Sequence, residues 1–494
     1  GMSDFDYVVL AAYAALVLWI GLYSARKHAS SADLLLGQRA VPGWAVLLSM
    51  VATELSAATF IGVPVAAYSG NWSYLQLAFG SLLGKLVLAR MVIPLYHRLK
   101  VVTVYGFLET SFGPATRRAA SIAFAAGRML ASGVRLFIAA LAFSVVSGQS
   151  VEVTIVACGV LATAYTRVGG IRSVIWTDAL QGAVFIFAAC ALVFAVSDGF
   201  TGFTPVLDWA AAREKTNVFQ WQPFFTLTTS LGFGTAVLGG FFLTLATHAT
   251  DHDMVQRLLT TRTGRSGGLA LAGSGLLNFP ITLLFLFIGT GIAYQYAQAP
   301  SYDISSTDQI MPLFALHELG PGLRGLVFAG LFAAAMSSLD SAICAIATTW
   351  VVDIAPKAPG VEQDHELAAR LQRTSTLVGF ALIGSALVMA LYHAQLKAEG
   401  TLPTLVEFAL SSMSILYGGL LGIFARGVLF KTPGNDRAAV AGLLVGSAVG
   451  LMLFLHPAIF GETLIAWTYW IPISATCSFT IACGGRSVTT TATD

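Results

Sequence analysis

Charged residues are scarce in this 494-residue chain, and their scarcity excludes an ordinary soluble protein. Asp, Glu, Lys and Arg make up 11% of the sequence, whereas 56% is hydrophobic and the mean hydropathy is +0.76. Soluble domains carry roughly 25% charged residues. Most of the chain must therefore face lipid or other apolar helices. The net charge of +2 is too small to indicate a nucleic-acid partner.

Groups suited to covalent or metal chemistry are also few. The cysteines lie inside apolar runs without a CxxC spacing, so we expect them to be buried, hydrophobic side chains. They are Cys158, Cys190, Cys344, Cys477 and Cys483. Neither these thiols nor His248 belongs to a nucleophile–base or metal-ligand pattern. The sequence therefore predicts no enzyme and no organic cofactor.

Long apolar runs, in contrast, fill the chain. A transmembrane helix needs about 20 apolar residues, and this criterion gives about thirteen candidate spans. They are 7–25, 43–68, 73–96, 120–147, 151–166, 173–197, 223–248, 267–295, 322–353, 372–394, 402–425, 437–456 and 463–484. Most Lys and Arg residues, Arg117, Arg257 and Arg373 among them, lie at ends that share one side of the membrane. The positive-inside rule then places the N-terminus outside and the C-terminus inside. A short helix is expected within 306–325, over the outer face.

The ninth candidate span carries polar residues near its middle, in the stretch "LFAAAMSSLDSAICAIATTW" (331–350). Ala334, Ser337, Ser338 and Ser341 are spaced i, i+3, i+4 and i+7, which places them on one helix face. Asp340 flanks that face. Hydroxyl and carboxylate oxygens are hard ligands that suit Na⁺ better than a transition metal. Intramembrane serines also bond back to their own helix, but three serines beside an aspartate favour an ion site.

The sixth span has a second polar pair, Asp178 and Gln181, three residues apart and therefore on one side of the helix. The pair follows a predicted turn at Gly169–Gly170. An isolated Asp–Gln pair is compatible with a helix–helix hydrogen bond. Beside another oxygen-rich helix, ion coordination is the favoured interpretation.

The second span, "VLLSMVATELSAATFIGVP" (46–64), has polar residues at its centre. Unwound backbone here would free carbonyl groups, which membrane proteins tolerate only where the backbone lines a cavity. Neither Gly nor Pro occurs at 53–56, so the sequence does not prove a break. Two roles for Glu54 stay open: a cavity ligand, or the structural partner of an intramembrane arginine.

Two arginines lie in the fourth span, although an intramembrane charge costs about 3 kcal/mol or more unless it is compensated. Arg128 and Arg135 are seven residues apart and point to the same side. A guanidinium group in a cavity is a bidentate receptor for a carboxylate. The alternative is that Arg128 reaches an interface and Arg135 pairs with Glu54. The seventh span places Thr244 and His248 on a polar side, before a charged, amphipathic inner helix.

Three stretches resemble signatures of the sodium:solute symporter family, which includes sodium-coupled glucose, proline, sialic acid and monocarboxylate transporters. They are "VGGIRSVIWTDALQG" (168–182), "ATDHDMVQRLL" (249–259) and "AGLFAAAMSSLDSA" (329–342). The resemblance implies an all-α polytopic membrane protein with the LeuT fold, whose two inverted five-helix repeats place a site at the midplane. The implied division is a leading helix and inner loop (1–42), a first repeat (43–197), an outer loop (198–221), an inverted second repeat (222–425), and two trailing helices with a short tail (426–494).

The resemblance also implies the ligand sets. The main sodium site would use Ala52, Leu55, Ala334, Ser337 and Ser338, and a second sodium site would use Asp178, Ser337, Asp340 and Ser341. The implied substrate contacts are Glu54, Ser56, Thr59, Tyr74, Ala78 and Ala131, joined by Arg128, Arg135, Thr244 and His248 as candidates from the polar pattern. Sugar transporters present a polar side chain where this chain has Ala78, which disfavours a glucose-type substrate.

We therefore expect a Na⁺-coupled symporter, carrying one or two Na⁺ ions, that imports a small organic anion such as sialic acid or another sugar acid. A neutral sugar, an amino acid such as proline, and proton coupling through Glu54, Asp178, Asp340 or His248 stay open as alternatives. We expect a lipid-embedded monomer in the plasma membrane, specifically a bacterial inner membrane.

Overall fold

The computed structural model describes residues 1–26, 30–230, 232–357, 360, 362–399 and 405–485. Every regular element in these residues is helical, as lipid leaves backbone groups no external hydrogen-bond partners. The α-helices are α1 (Asp4–Arg26), α2 (Ser31–Leu36), α3 (Gly43–Glu54), α4 (Ala57–Ser69), α5 (Gln76–Met91), α6 (Ile93–Arg98), α7 (Val104–Ser111), α8 (Pro114–Ser147), α9 (Val151–Val196), α10 (Phe203–Ala211), α11 (Phe233–Ala249), α12 (His252–Leu259), α13 (Gly264–Gln298), α14 (Ile310–Glu318), α15 (Leu323–Thr349), α16 (Asp364–Glu399), α17 (Leu405–Leu429), α18 (Asp436–Phe460) and α19 (Trp470–Ala482).

Nine helices of the described chain are long and apolar enough to cross a membrane, and two bent pairs raise the number to eleven. The bent pairs are α3 with α4, at 60°, and α11 with α12, at 63°. To reach the predicted thirteen spans, α9 would cross twice and the short α19 once. The number of spans, the orientation of the termini and the division into inverted repeats stay predictions.

A break divides α3 from α4 at Leu55 and Ser56. The amide of Leu55 still bonds to the Val51 carbonyl, but that of Ser56 turns back to the Glu54 carbonyl instead of to Ala52. The Ala52 carbonyl therefore loses the partner it would have in a continuous helix. This is the unwound stretch that the sequence permits but does not prove.

A kink divides α9 at Gly170, as the Gly169–Gly170 pair predicts. The backbone of Gly170 has φ +56° and ψ −151°, a conformation that side chains disfavour. A Cβ atom at this position would lie 2.7 Å from both the Cα and the carbonyl oxygen of Leu34. Glycine is thus required here for conformation and for space.

The centre of the molecule is α15, which packs against α9, α8, α1, α16 and α3. Its residues are buried without interruption from Ala333 to Thr349. The serine–aspartate face is therefore enclosed by protein, with no contact with lipid. The last helices, α17, α18 and α19, pack on one another, and α17 also packs against α8.

Two local expectations hold, and one is wrong. The short helix expected within 306–325 is present as α14, preceded by a 3₁₀ turn at Thr307–Gln309. The helix after the seventh span, α12, is amphipathic as expected, but all of its residues are buried, so its charged face contacts other parts of the protein. The expectation that the thiols are buried is wrong for two of them, since Cys190 and Cys483 are exposed. Helices that contact lipid leave apolar residues on the protein surface, so an apolar run does not imply burial.

Candidate sodium and substrate sites

The residues of the predicted main sodium site meet where α15 passes the break between α3 and α4. The Ser337 hydroxyl donates to the Ala52 carbonyl at 2.9 Å, across the two helices. The hydroxyls of Ser337 and Ser338 also lie 3.2 Å and 3.3 Å from the carbonyl oxygen of Ala334. These residues and Leu55, which forms the break, are all buried.

This arrangement concentrates oxygen ligands of the kind that hard cations prefer. The Ala52 carbonyl has lost its helical partner at the break, and the Ala334 carbonyl, inside α15, has a second lone pair beyond its helical bond. In both cases the side-chain donors are hydroxyls that can rotate. On rotation, each hydroxyl turns its lone pairs toward a cation and leaves the carbonyl free to bind the same ion. The site can therefore exchange its internal hydrogen bonds for Na⁺ without a rearrangement of the helices.

Asp178, a residue of the predicted second sodium site, lies in a buried polar network. One carboxylate oxygen, Oδ2, accepts from the Ser49 hydroxyl at 2.9 Å and from the Arg257 guanidinium at 3.0 Å. The other, Oδ1, is buried without a hydrogen-bond partner. Arg257 was placed by the sequence among the inward-facing charges, but its side chain is fully buried. Its charge is met by Asp178 and Asp253 instead of by water.

Asp340 approaches the same region from α15. Its Oδ2 accepts from the Tyr165 hydroxyl at 2.8 Å, whereas its Oδ1 is buried without a partner. Gln181 donates to the same tyrosine at 3.4 Å, and its Oε1 also lacks a donor. Asp178 and Gln181 share one face of α9, and Asp340 lies on α15, which packs against α9. Within the described part of the chain, each of these three residues has a buried acceptor oxygen without a donor. Buried acceptors without donors are costly unless a cation or water meets them.

Ser341, the remaining residue of that predicted set, bonds back to its own helix. Its hydroxyl donates to the Ser337 carbonyl at 2.9 Å, as intramembrane serines commonly do. The hydroxyl oxygen keeps lone pairs for a second interaction. Two residues of the predicted second sodium site thus already have partners within the protein: Ser341 bonds to Ser337, and Asp178 pairs with Arg257.

A cavity of about 160 Å³ adjoins the break between α3 and α4. Seven of the predicted substrate contacts line it: Glu54, Ser56, Thr59, Tyr74, Ala78, Arg135 and Thr244. Three do not: Arg128, Ala131 and His248. Sequence reasoning missed several further lining residues, of which Ser81, Asn278 and Thr282 are polar. The signal for Asn278 was its place inside an apolar span, two residues before Pro280.

Arg135 brings a positive charge to this cavity. Its side chain is 9% exposed, and no Asp or Glu in the described chain forms an ion pair with it. One terminal nitrogen lies 3.4 Å from the sulfur of Met413, a weak acceptor, and the other is buried without a partner. The alternative pairing with Glu54 does not occur, because Glu54 pairs with Lys85. Arg135 is therefore a guanidinium group with donors available to a ligand.

Arg128 has the opposite environment. It is fully buried and forms ion pairs with Asp251 and Asp253. Tyr417 also donates to the Asp251 carboxylate. Asp251 lies in the break between α11 and α12, so the Arg128–Asp251 ion pair joins α8 to that break. The charge of Arg128 is thus compensated within the protein, and the predicted approach to an interface does not occur.

Glu54 belongs to a compact buried cluster at the cavity wall. Both of its carboxylate oxygens accept from Lys85, at 2.7 Å and 2.6 Å. His248 approaches one of them at 3.0 Å through Nε2. Lys85 also donates to the Ser274 hydroxyl at 3.0 Å. Lys85 lies inside the candidate span 73–96, and nothing in the local sequence indicates its partner.

Helices broken inside the membrane, with freed carbonyls beside a polar cavity, are how secondary transporters hold solutes and ions near the bilayer midplane. The fold and the two sites define a protein of this class. The more particular assignment follows from sequence, because a profile of the Sodium:solute symporter family matches residues 34–446. The chain belongs to the sodium:solute symporter family.

Several known proteins are similar to this chain along most of their length. The sodium/sialic acid symporter NanT of Aliivibrio fischeri is 29% identical over 90% of this chain and 87% of its own. A putative sodium-dependent multivitamin transporter of Drosophila melanogaster is 30% identical over 90% of this chain and 74% of its own. The sodium-coupled monocarboxylate transporter 1 of Homo sapiens is 28% identical over 92% of this chain and 74% of its own.

Solved structures agree on the architecture. A Na⁺-coupled sialic acid symporter in a substrate-bound, outward-open state matches with a TM-score of 0.86 at 24% identity, over 98% of each chain. The nucleobase-cation-symport transporter Mhp1 in a closed conformation matches with a TM-score of 0.58 at 14% identity, over 91% of this chain and 93% of its own. The predicted LeuT fold and the predicted role as a multi-pass, Na⁺-coupled membrane symporter are confirmed.

Proposed function

We propose that the protein imports an organic acid, a carboxylate-bearing sugar such as a sialic acid, together with Na⁺. The observation that carries this proposal is Arg135, a buried guanidinium group at the cavity wall with no carboxylate partner in the described chain. A bidentate pair with a substrate carboxylate would supply the missing partner and would also distinguish acids from neutral analogues. The names of the related sialic acid and monocarboxylate symporters support an anionic substrate.

In this proposal the main sodium site comprises Ala52, Leu55, Ala334, Ser337 and Ser338. An ion here would hold the break of α3 and α4 against α15, because its ligands come from both sides of that contact. Since the cavity adjoins the same break, a bound ion would fix Ser56 and Thr59 in place for the substrate. Binding of Na⁺ and of substrate would then be mutually favourable.

We also infer a second Na⁺ ion beside Asp178 and Asp340. Support comes from the three unpartnered acceptor oxygens of Asp178, Gln181 and Asp340. Gln181 was not in the predicted ligand set. Each charge that crosses the membrane contributes about 2.3 kcal/mol per 100 mV, so two Na⁺ ions carried with one anion would keep transport driven by the membrane potential.

The broader assignments follow from this role. Family and relatives are transporters, and we propose that the chain acts as a monomer in a lipid bilayer, without a catalytic step or an organic cofactor. The bacterial sialic acid symporters among its relatives favour a bacterial inner membrane.

A ligand-stabilisation screen tests the proposed substrate. Purified protein would be melted with sialic acid, glucose, proline and lactate, each in Na⁺ and in K⁺ buffer at fixed pH. We expect the melting temperature to rise with an acid and Na⁺ together. Stabilisation by glucose or proline in preference to acids would contradict the proposal, and stabilisation that follows pH instead of Na⁺ would favour proton coupling.

A further inference from the structure

The cavity contains a carboxylate, which is unexpected in a site proposed for an anion. Glu54 lines the same cavity as Arg135, and its side chain is 16% exposed. An uncompensated carboxylate would repel an acidic substrate. The surroundings of Glu54 show how this repulsion is avoided.

Lys85 cancels the charge of Glu54. The ammonium group of Lys85 lies 2.7 Å and 2.6 Å from the two carboxylate oxygens, and its side chain is wholly buried. The described charged residues on the cavity wall are thus Arg135 and a neutralised Glu54. The cavity keeps a net positive charge, as an anion requires.

The hydrogen bonds to Glu54 are unequally divided between its two oxygens. Oε1 accepts from Lys85 and His248 and lies 3.4 Å from the Ser274 hydroxyl. Among the described side chains, Oε2 accepts only from Lys85. A carboxylate oxygen has about two lone-pair sites, so Oε2 has the capacity for one more donor. Of the Glu54–Lys85 pair, only Glu54 lines the cavity, whereas Lys85 is wholly buried. A molecule bound in the cavity can therefore supply that donor.

We propose that Glu54 determines specificity, accepting a hydrogen bond from a hydroxyl group of the substrate while Arg135 binds the substrate's carboxylate. Lys85 acts as a positioning residue, which holds the Glu54 carboxylate and removes its net charge. This inference rests on the proposed function and assigns a partner in the site to the hydroxyl groups of the sugar acid.

A hydroxyl fits this position better than an ammonium group. An ammonium ion beside Glu54 would also approach Lys85, and the two cations would share one carboxylate. A hydroxyl donates without adding charge. The neutral groups of Asn278 and Thr282 on the same wall offer further partners for hydroxyls. Amino acids are therefore expected to bind less tightly than hydroxy acids of equal size.

The test compares ring carboxylates with and without hydroxyls. Glucuronate and N-acetylneuraminate carry hydroxyls, whereas cyclohexanecarboxylate does not. Binding to the full-length protein in Na⁺ buffer would be measured for the wild type and for the double variant Glu54→Gln with Lys85→Met. The double variant removes both charges and so avoids leaving a buried ion unpaired. A matched control, Arg117→Gln with Asp353→Asn, removes an ion pair with N···O 2.6 Å that lies outside the cavity.

We expect the better-binding hydroxylated acid to lose about tenfold or more in affinity in the double variant, since a hydrogen bond to a charged group is lost. Cyclohexanecarboxylate should change by less than about twofold, and the control variant should bind all probes as the wild type does. Arg135→Gln, in contrast, should weaken every acid alike.

Three results would overturn the inference. They are an equal loss for both kinds of acid in the double variant, no loss for either, and wild-type protein that prefers cyclohexanecarboxylate. In the first two cases the proposed function survives if acids still bind through Arg135. A preference for cyclohexanecarboxylate would leave an organic acid as the substrate but would exclude a sugar acid. If no acid binds the wild type, the proposed function itself fails, and this inference fails with it.

Discussion

Ser337 on α15 donates a hydrogen bond of 2.9 Å to the carbonyl oxygen of Ala52, 285 residues earlier in the chain. The bond exists because α3 is broken three residues beyond Ala52, where the amide of Ser56 turns away to the Glu54 carbonyl. A continuous helix would use the Ala52 carbonyl internally. The contact thus joins the break in one span to the polar face of another.

Removal of this hydroxyl should abolish coupling to sodium. We expect the double variant Ser337→Ala, Ser338→Ala to bind Na⁺ at least about tenfold more weakly and to lose Na⁺-driven uptake in proteoliposomes, because two ligands of the main site are absent. Thr349→Ala is the matched control, since the Thr349 hydroxyl bonds to Ile346 on the same helix, away from the site. Undiminished uptake by the double variant, or full uptake in K⁺ medium, would contradict the assignment.

Replacement of Asp340 should remove the second ion. Because the number of interacting sites limits the Hill coefficient for Na⁺, we expect a wild-type value between one and about two, and a value close to one in Asp340→Asn. Asp340 is preferable to Asp178 for this purpose, since Asp178→Asn would also disturb Arg257. A wild-type coefficient of one, with a reversal potential that fits a single Na⁺ ion, would exclude the second site.

Arg135→Gln should separate substrate binding from sodium binding. A charge-assisted hydrogen bond contributes about 1.5–3 kcal/mol, so we expect roughly tenfold or greater loss of affinity for the acid substrate. Affinity for Na⁺ and the melting temperature without substrate should change little, because Arg135 has no ion-pair partner in the described chain. Isothermal titration and thermal melting measure the two effects. Unchanged affinity for acids would remove Arg135 from the substrate site.

Arg128→Gln should behave in the reverse way. Loss of one partner of a buried ion pair costs about 3–5 kcal/mol, because the remaining charge is left uncompensated. Here the carboxylates of Asp251 and Asp253 would lose their cation. We expect a lower melting temperature without ligand, and unaltered discrimination between acids and neutral analogues in the fraction that folds. A stable variant with weakened acid binding would reverse the roles of the two arginines.

Gly170→Ala should destabilise the kink in α9. The positive φ alone costs a side chain about 1–2 kcal/mol, and the added methyl group would meet the backbone of Leu34 at 2.7 Å. Gly106→Ala is the control, because its added Cβ would have nothing within 4 Å. We expect the melting temperature to fall in the first variant and to stay constant or rise in the second. Equal melting temperatures would show that α9 can straighten here.

The sequence was sufficient for features that depend on residue type and local spacing. Apolar runs of membrane length predicted the helices, Gly169–Gly170 predicted the kink, and the spacing of Ser337, Ser338 and Ser341 predicted one polar face. These are properties of a single segment, and the geometry of one helix fixes them. The resemblance of three stretches to family signatures then identified the class of transporter.

The pairing of the intramembrane charges depended on tertiary structure. Arg128 and Arg135 share a helix, a side and a residue type, yet one meets Asp251 and Asp253 while the other lines the cavity without a carboxylate partner. Pairing with an arginine was one of two roles left open for Glu54, whose carboxylate instead lies beside Lys85. A charge at membrane depth must be compensated, but its sequence neighbours do not specify the partner, because the partner comes from another helix. The break at Leu55 has the same origin: no Gly or Pro marks it, and Ser337 and Lys85, from other helices, bind Ala52 and Glu54 directly before it.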